Sequence, residues 1–159
     1  MERGYRWIQR GSSAEAIATF QRSLAEYPNN SLAHLGLGEA FALSGQEADA
    51  VDMYSKALPL LRSEGYATPE SANKEQTIGR RFFSYQNQGL TFPYGVEAYL
   101  HVRRGLAYEA LAKKLPARSD EFRAAAQSDY ASANNLAPAW DEPRTGLKCL
   151  DEPTRSECT

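Results

Sequence analysis

The sequence predicts an all-α chain built as a tandem helical repeat, and three observations carry that expectation. Ala occurs 24 times and Leu 16 times, against three Ile and three Val. Helices favour Ala and Leu, whereas strands draw on β-branched residues, so a sheet would lack its usual material. The second observation is a recurrence at 34 residues. Gly4 falls on Gly38, Trp7 on Phe41, Gly11 on Gly45, Ala16 on Ala50, Phe20 on Tyr54 and Leu24 on Leu58. The third is a further copy in Gly105, Tyr108, Ala126, Tyr130, Ala133 and Pro138.

The order within a copy has a physical meaning. Gly38 and Ala50 let two helices approach closely, Phe41 and Tyr54 fill the space beside them, and Gly45 permits the turn between. The first copy spans about 1–30, begins part-way through its first helix and reaches Pro28. Asn29-Asn30-Ser31, formally a glycosylation sequon, reads as the turn into the second copy at about 31–64. The third copy, at about 98–140, carries nine extra residues around Leu115 to Asp120. Pro116 and the Asp120 cap signal place the turn there, with the first helix reaching about Leu115 and the second starting near Ser119. An amphipathic helix at about 141–150 would cover the last repeat, followed by a loose tail at 151–159.

Residues 65–97 are almost one repeat long yet fail the pattern, offering Ala72, Glu75, Ser84 and Gln88 at the signature places. They read as an insertion. Thr68-Pro69 signals a helix start, with a helix to about Tyr85 weakened at Gly79. Phe82, Phe83, Tyr85 and Phe92 are its candidate contacts, either packed on the array or turned to a partner.

These copies resemble the tetratricopeptide repeat family, whose pattern is Leu-Gly, an aromatic three residues later, then Ala, a second aromatic four later, and Pro. The second copy matches with Leu37-Gly38, Phe41, Ala50, Tyr54 and Ala57, departing at Arg62 in place of Pro. The resemblance covers roughly 120 of the 159 residues. It implies a right-handed superhelix of about three helix pairs in a single domain, with first helices lining a concave face. Family geometry then assigns that face to Tyr5 and Ile8, to Leu32, Leu35, Glu39 and Leu43, and to Tyr99, Val102 and Leu106. Arg103 borders it, and could pair with a ligand carboxylate.

Such an apolar floor suits a partner's peptide or the hydrophobic side of an amphipathic helix. The implied role is a non-catalytic protein–protein adaptor or scaffold, with a structural subunit or assembly factor of a larger complex as the alternative. A further alternative is a co-chaperone holding the acidic tail of Hsp70 or Hsp90. Its carboxylate clamp is mostly missing: Gly36 and Tyr99 stand where Asn and Lys are needed, and only Arg103 matches.

Other functions find little material. The net charge of −2 is not that of a nucleic-acid binder. No apolar run approaches the roughly 18 residues that span a bilayer. Met1 to Arg6 holds no secretory apolar core, so the expected location is cytoplasm or an organelle interior. His34 and His101 occupy equivalent first-helix positions, but lack the Cys or carboxylate company of a metal site and suit packing better. No cofactor motif or nucleophile triad is present, so neither an enzyme nor a cofactor is expected. Arg80-Arg81 and Lys113-Lys114 read as solvated faces. Cys149 and Cys158 are expected to be free thiols on a frayed end, with a small bridged loop as the alternative.

Overall fold

The structure, a computed structural model, describes residues 2–64, 92 and 94–151. The expected helix at 69–85 and the tail from 152 onward lie outside the described residues. Among the described residues every regular element is helical, so the all-α expectation holds. Contacts gather the chain into two compact units, Met1–Val96 and Glu97–Thr159.

The first unit holds α1 (Glu2–Gln9), α2 (Ser13–Glu26), α3 (Ser31–Leu43) and α4 (Glu47–Ser63). Two successive helix pairs end their first helices in the same way. Gly11 and Gly45 both adopt positive φ, 73° and 75°. Ser12 N–H then reaches back to the Trp7 carbonyl, and Gln46 N–H to that of Phe41, each at 2.9 Å. A glycine in the left-handed region lets the chain reverse while helix-end carbonyls stay bonded. Between the pairs, Asn30 caps α3 by accepting the Ala33 N–H at 2.9 Å, which makes Asn29-Asn30-Ser31 a helix-entry turn.

Phe20 organises this unit. Its ring is fully buried on α2 and lies against Gly4 of α1 and Gly36 of α3. A Cβ on Gly4 would come within 2.6 Å of Phe20 Cζ, and one on Gly36 closer still. Tyr5 meets the same ring edge-on, with centroids 4.9 Å apart, while its hydroxyl donates to the Leu32 carbonyl. Ala16, Ala33, Leu37 and Ala40 complete the cluster, and Trp7, Ile8, Ile17, Leu24, Phe41 and Met53 pack around it. Because α3 lies at the centre, residues Ser31 to Ala40 are buried on nearly every side, His34 excepted.

The second unit holds α5 (Val96–Lys114), a 3-10 turn at Pro116–Arg118, α6 (Ser119–Leu136) and α7 (Asp141–Asp151). Tyr130 on α6 takes the role of Phe20. Its ring lies against Gly105 of α5 and Gly146 of α7, with Val102, Ala126 and Ala133 beside it. Tyr108, Trp140, Leu147 and Leu150 pack onto this cluster.

The glycine contacts give a direct test. Gly36→Ala should lower the unfolding free energy by roughly 1–3 kcal/mol, because the fully buried Phe20 ring has no space to yield. Urea titration of the full chain, followed by helical circular dichroism, measures it.

Candidate partner-binding surface

Burial sorts the proposed first-helix positions into three groups. Tyr5, Leu32, Leu35, Glu39 and Val102 are interior, Leu35 being 0% exposed and Val102 1%. Ile8, Tyr99 and Arg103 are half-buried. Leu43 and Leu106 stand open at 46% and 38%. Tyr5 and Leu32 are brought together by their hydrogen bond, and Ile8 packs on the Phe20 cluster. Leu43 ends α3 in the first unit, whereas Tyr99, Val102, Arg103 and Leu106 lie on α5. Phe92 is half-buried, and Phe82, Phe83 and Tyr85 lie outside the described residues.

The acidic position on α3 is spent internally. Glu39, buried, accepts the Tyr54 hydroxyl at 3.2 Å. The second unit repeats the device, with Tyr130 donating to Glu109 at 2.6 Å. Burial, followed by the Glu109 carboxylate at its hydroxyl, pushes Tyr130 well above the usual tyrosine range.

The sequence reading missed a buried ionic group in the second unit. Asp129 on α6 faces His101 and Arg104 on α5. The His101 Nδ1 lies 2.7 Å from Asp129 Oδ1, and since a carboxylate only accepts, Nδ1 carries the proton. Arg104 grips the same carboxylate with Nε at 2.8 Å and Nη2 at 2.7 Å. Glu97, one turn before His101, lies 3.7 Å from its Nε2. Burial works against charge on Asp129, but the hydrogen bonds from His101 and Arg104 outweigh it and hold the carboxyl below the usual range. Glu97, His101 and Arg104 share a face at spacings of four and three, which the sequence displays. Their partner 25 residues beyond Arg104 is a tertiary fact that it does not.

The two histidines are accounted for separately. His34 Nε2 lies 2.9 Å from the Pro28 carbonyl. Among the described residues, no group of three or more His, Cys, Asp or Glu side chains could hold a metal ion.

Cys149 corrects an expectation. It is disulfide-bonded, and no free cysteine occurs among the described residues. The physical reason is its setting: Cys149 belongs to a helix that runs to Asp151 and packs on Tyr130 through Leu147 and Leu150. It is not part of a frayed end.

Residues 8–67 match the family model of the tetratricopeptide repeat. That stretch holds α2, α3 and α4 and both positive-φ glycine turns, at Gly11 and Gly45. It carries tetratricopeptide repeats, whose general role is protein–protein interaction and which are typically non-catalytic. No curated protein matches the chain. Among the described residues, no helix is long and apolar enough to cross a membrane.

The Asp129 group yields a pH prediction. Its lowered pKa contributes stability that is present above the unfolded carboxyl value of about 4 and lost as pH falls through the lower folded value. Asp129→Ala should destabilise the chain by roughly 3–5 kcal/mol at neutral pH, because Arg104 and His101 lose their shared acceptor. It should also flatten the fall of stability in acid. Denaturant midpoints of both chains between pH 7 and pH 3 check the sign.

Proposed function

We propose that this protein is a non-catalytic adaptor that holds a partner's peptide or amphipathic helix against its first-helix faces. The observation that carries the reading is the exposure of one leucine at the end of α3 and one within α5. Every other leucine of those two helices is buried, yet Leu43 and Leu106 are 46% and 38% exposed. Both occupy positions that the repeat geometry assigns to the binding face. An apolar side chain there gains free energy when a partner covers it. Half-buried Tyr99 and Arg103 on α5 supply an amphipathic ring and a cation beside Leu106, suited to a partner with an acidic residue flanking its apolar one.

Leu35 and Val102 support the array from inside rather than meeting the partner. A charge at either would be buried without compensation. The co-chaperone alternative loses ground at Gly36, where the clamp needs an Asn. That position is pressed against Phe20 and has no room for a side chain. The assembly-subunit alternative predicts self-association of the isolated chain, which sedimentation would reveal; a monomer favours the adaptor.

Affinity capture from native extract tests the reading with Leu43→Glu, Leu106→Glu and the double variant. Each single change should weaken capture at least about tenfold, with the helical signal intact because both sites are solvent-exposed. Undiminished capture by the folded double variant would overturn it.

A further inference from the structure

The repeat carries α1 onto α3 with a shift of 34 residues, so the two helices present corresponding faces in register. On α3 one of these faces bears Leu37 and Ala40, both buried in the Phe20 cluster. That cluster draws on α1 and α2, so this side of α3 is where the preceding helix pair is received. The corresponding positions on α1 are Arg3 and Arg6, and both are solvent-exposed. Arg10, one turn beyond Arg6, continues the row and is exposed as well.

A face shaped to receive a helix is here coated with positive charge. Spacings of three and four set the guanidiniums on one side of α1, over about 10 Å or two turns. The inward side of α1 is taken up by Gly4, Tyr5 and Ile8 against the Phe20 cluster, which leaves the arginine row turned outward. Arg10 is steadied by Trp7, its Cζ standing 5.5 Å from the ring centroid. Among the described residues, neither Arg3 nor Arg10 is engaged by a carboxylate.

We propose that the arginine row of α1 is a docking surface for an acidic helix of a partner protein, separate from the leucine positions of the adaptor reading. Charge complementarity selects the occupant. Carboxylates at spacings of four and three along an antiparallel helix meet Arg3, Arg6 and Arg10 in turn. The steric precedent is α3, whose same face is buried against helices. A nucleic acid is the poorer match. The chain carries a net charge of −2, and three cations over two turns fall short of the extended basic surface that follows a phosphate backbone.

Titration calorimetry of the full chain tests this with a synthetic alanine-rich helical peptide bearing glutamates at i, i+4 and i+7, beside the same peptide with glutamines. The glutamate peptide should bind saturably and weaken as salt rises, and the glutamine peptide should bind at least about tenfold more weakly. Arg3→Glu/Arg10→Glu should cost the glutamate peptide at least about tenfold in affinity and gain affinity for a lysine version. Both arginines are exposed, so the helical spectrum should be unchanged. Leu43→Gln/Leu106→Gln removes the apolar contacts of the adaptor face without adding charge. It should bind the glutamate peptide as the wild type does, which separates this surface from that face. Absence of saturable binding to the wild type, equal affinity of the arginine variant, loss in the leucine variant, or tighter binding to duplex DNA or phosphatidylserine vesicles than to the peptide would overturn the proposal.

Discussion

The structure depends on one contact made twice: an aromatic ring on a second helix wedged between glycines on two first helices. Phe20 lies between Gly4 and Gly36, and Tyr130 between Gly105 and Gly146. A ring buried this completely removes a large apolar area from water. It can do so only if both neighbouring helices present bare backbone. The glycine and the aromatic are therefore one feature divided between two helices. Alanines at Ala16, Ala50, Ala57, Ala126 and Ala133, all buried, hold the second helices to the same close spacing. The excess of Ala over Ile and Val is thus packing geometry as much as helix propensity.

That tight spacing leaves little solvent for polar groups, which must find partners inside. Tyr54 gives its hydroxyl to Glu39, and Tyr130 to Glu109, so each second-helix tyrosine is matched by a carboxylate on the first helix of its own pair. Phe20 needs no such partner, and none is offered. Asp129 serves two donors on α5 at once, which ties α5 to α6 with direction as well as adhesion. Polar pairing of this kind fixes how two helices are rotated against each other, where alanine and leucine alone would tolerate sliding.

Much of this was legible because the repeat writes its geometry locally. The glycines read as turn-makers at Gly11 and Gly45 are the ones with positive φ. Pro116 stands at the turn between α5 and α6 and α6 starts at Ser119, because a proline signal acts within a few residues; the expected Asp120 cap lies instead in the first turn of α6, with Arg118 at the cap position. Exposure was not legible. Repeat geometry assigns Leu35 and Leu43 to one face, but α3 is enclosed along its middle and open at its end, so the two leucines have opposite fates. The Asp129 group was hidden for another reason. Its members lie 25 and 28 residues apart, and no period links them. Cys149 was misjudged because two cysteines near the end of a sequence look like a tail until the helix carrying Cys149 is seen to pack.

The same wedge explains how the second unit closes. A repeat array has an unfinished apolar end by construction, since each second helix is shaped to receive the next first helix. For Phe20 that next helix is α3, which brings Gly36. For Tyr130 it is α7, which brings Gly146, with Leu147 and Leu150 packed onto the same cluster. The terminal helix therefore makes the contact of an internal first helix. Its other side differs from that of α3, for Asp141, Glu142, Arg144, Lys148 and Asp151 are solvent-exposed. The helix is thus glycine and leucine towards Tyr130 and charged towards solvent, the amphipathic pattern that lets one sequence segment both fill the wedge and stay hydrated.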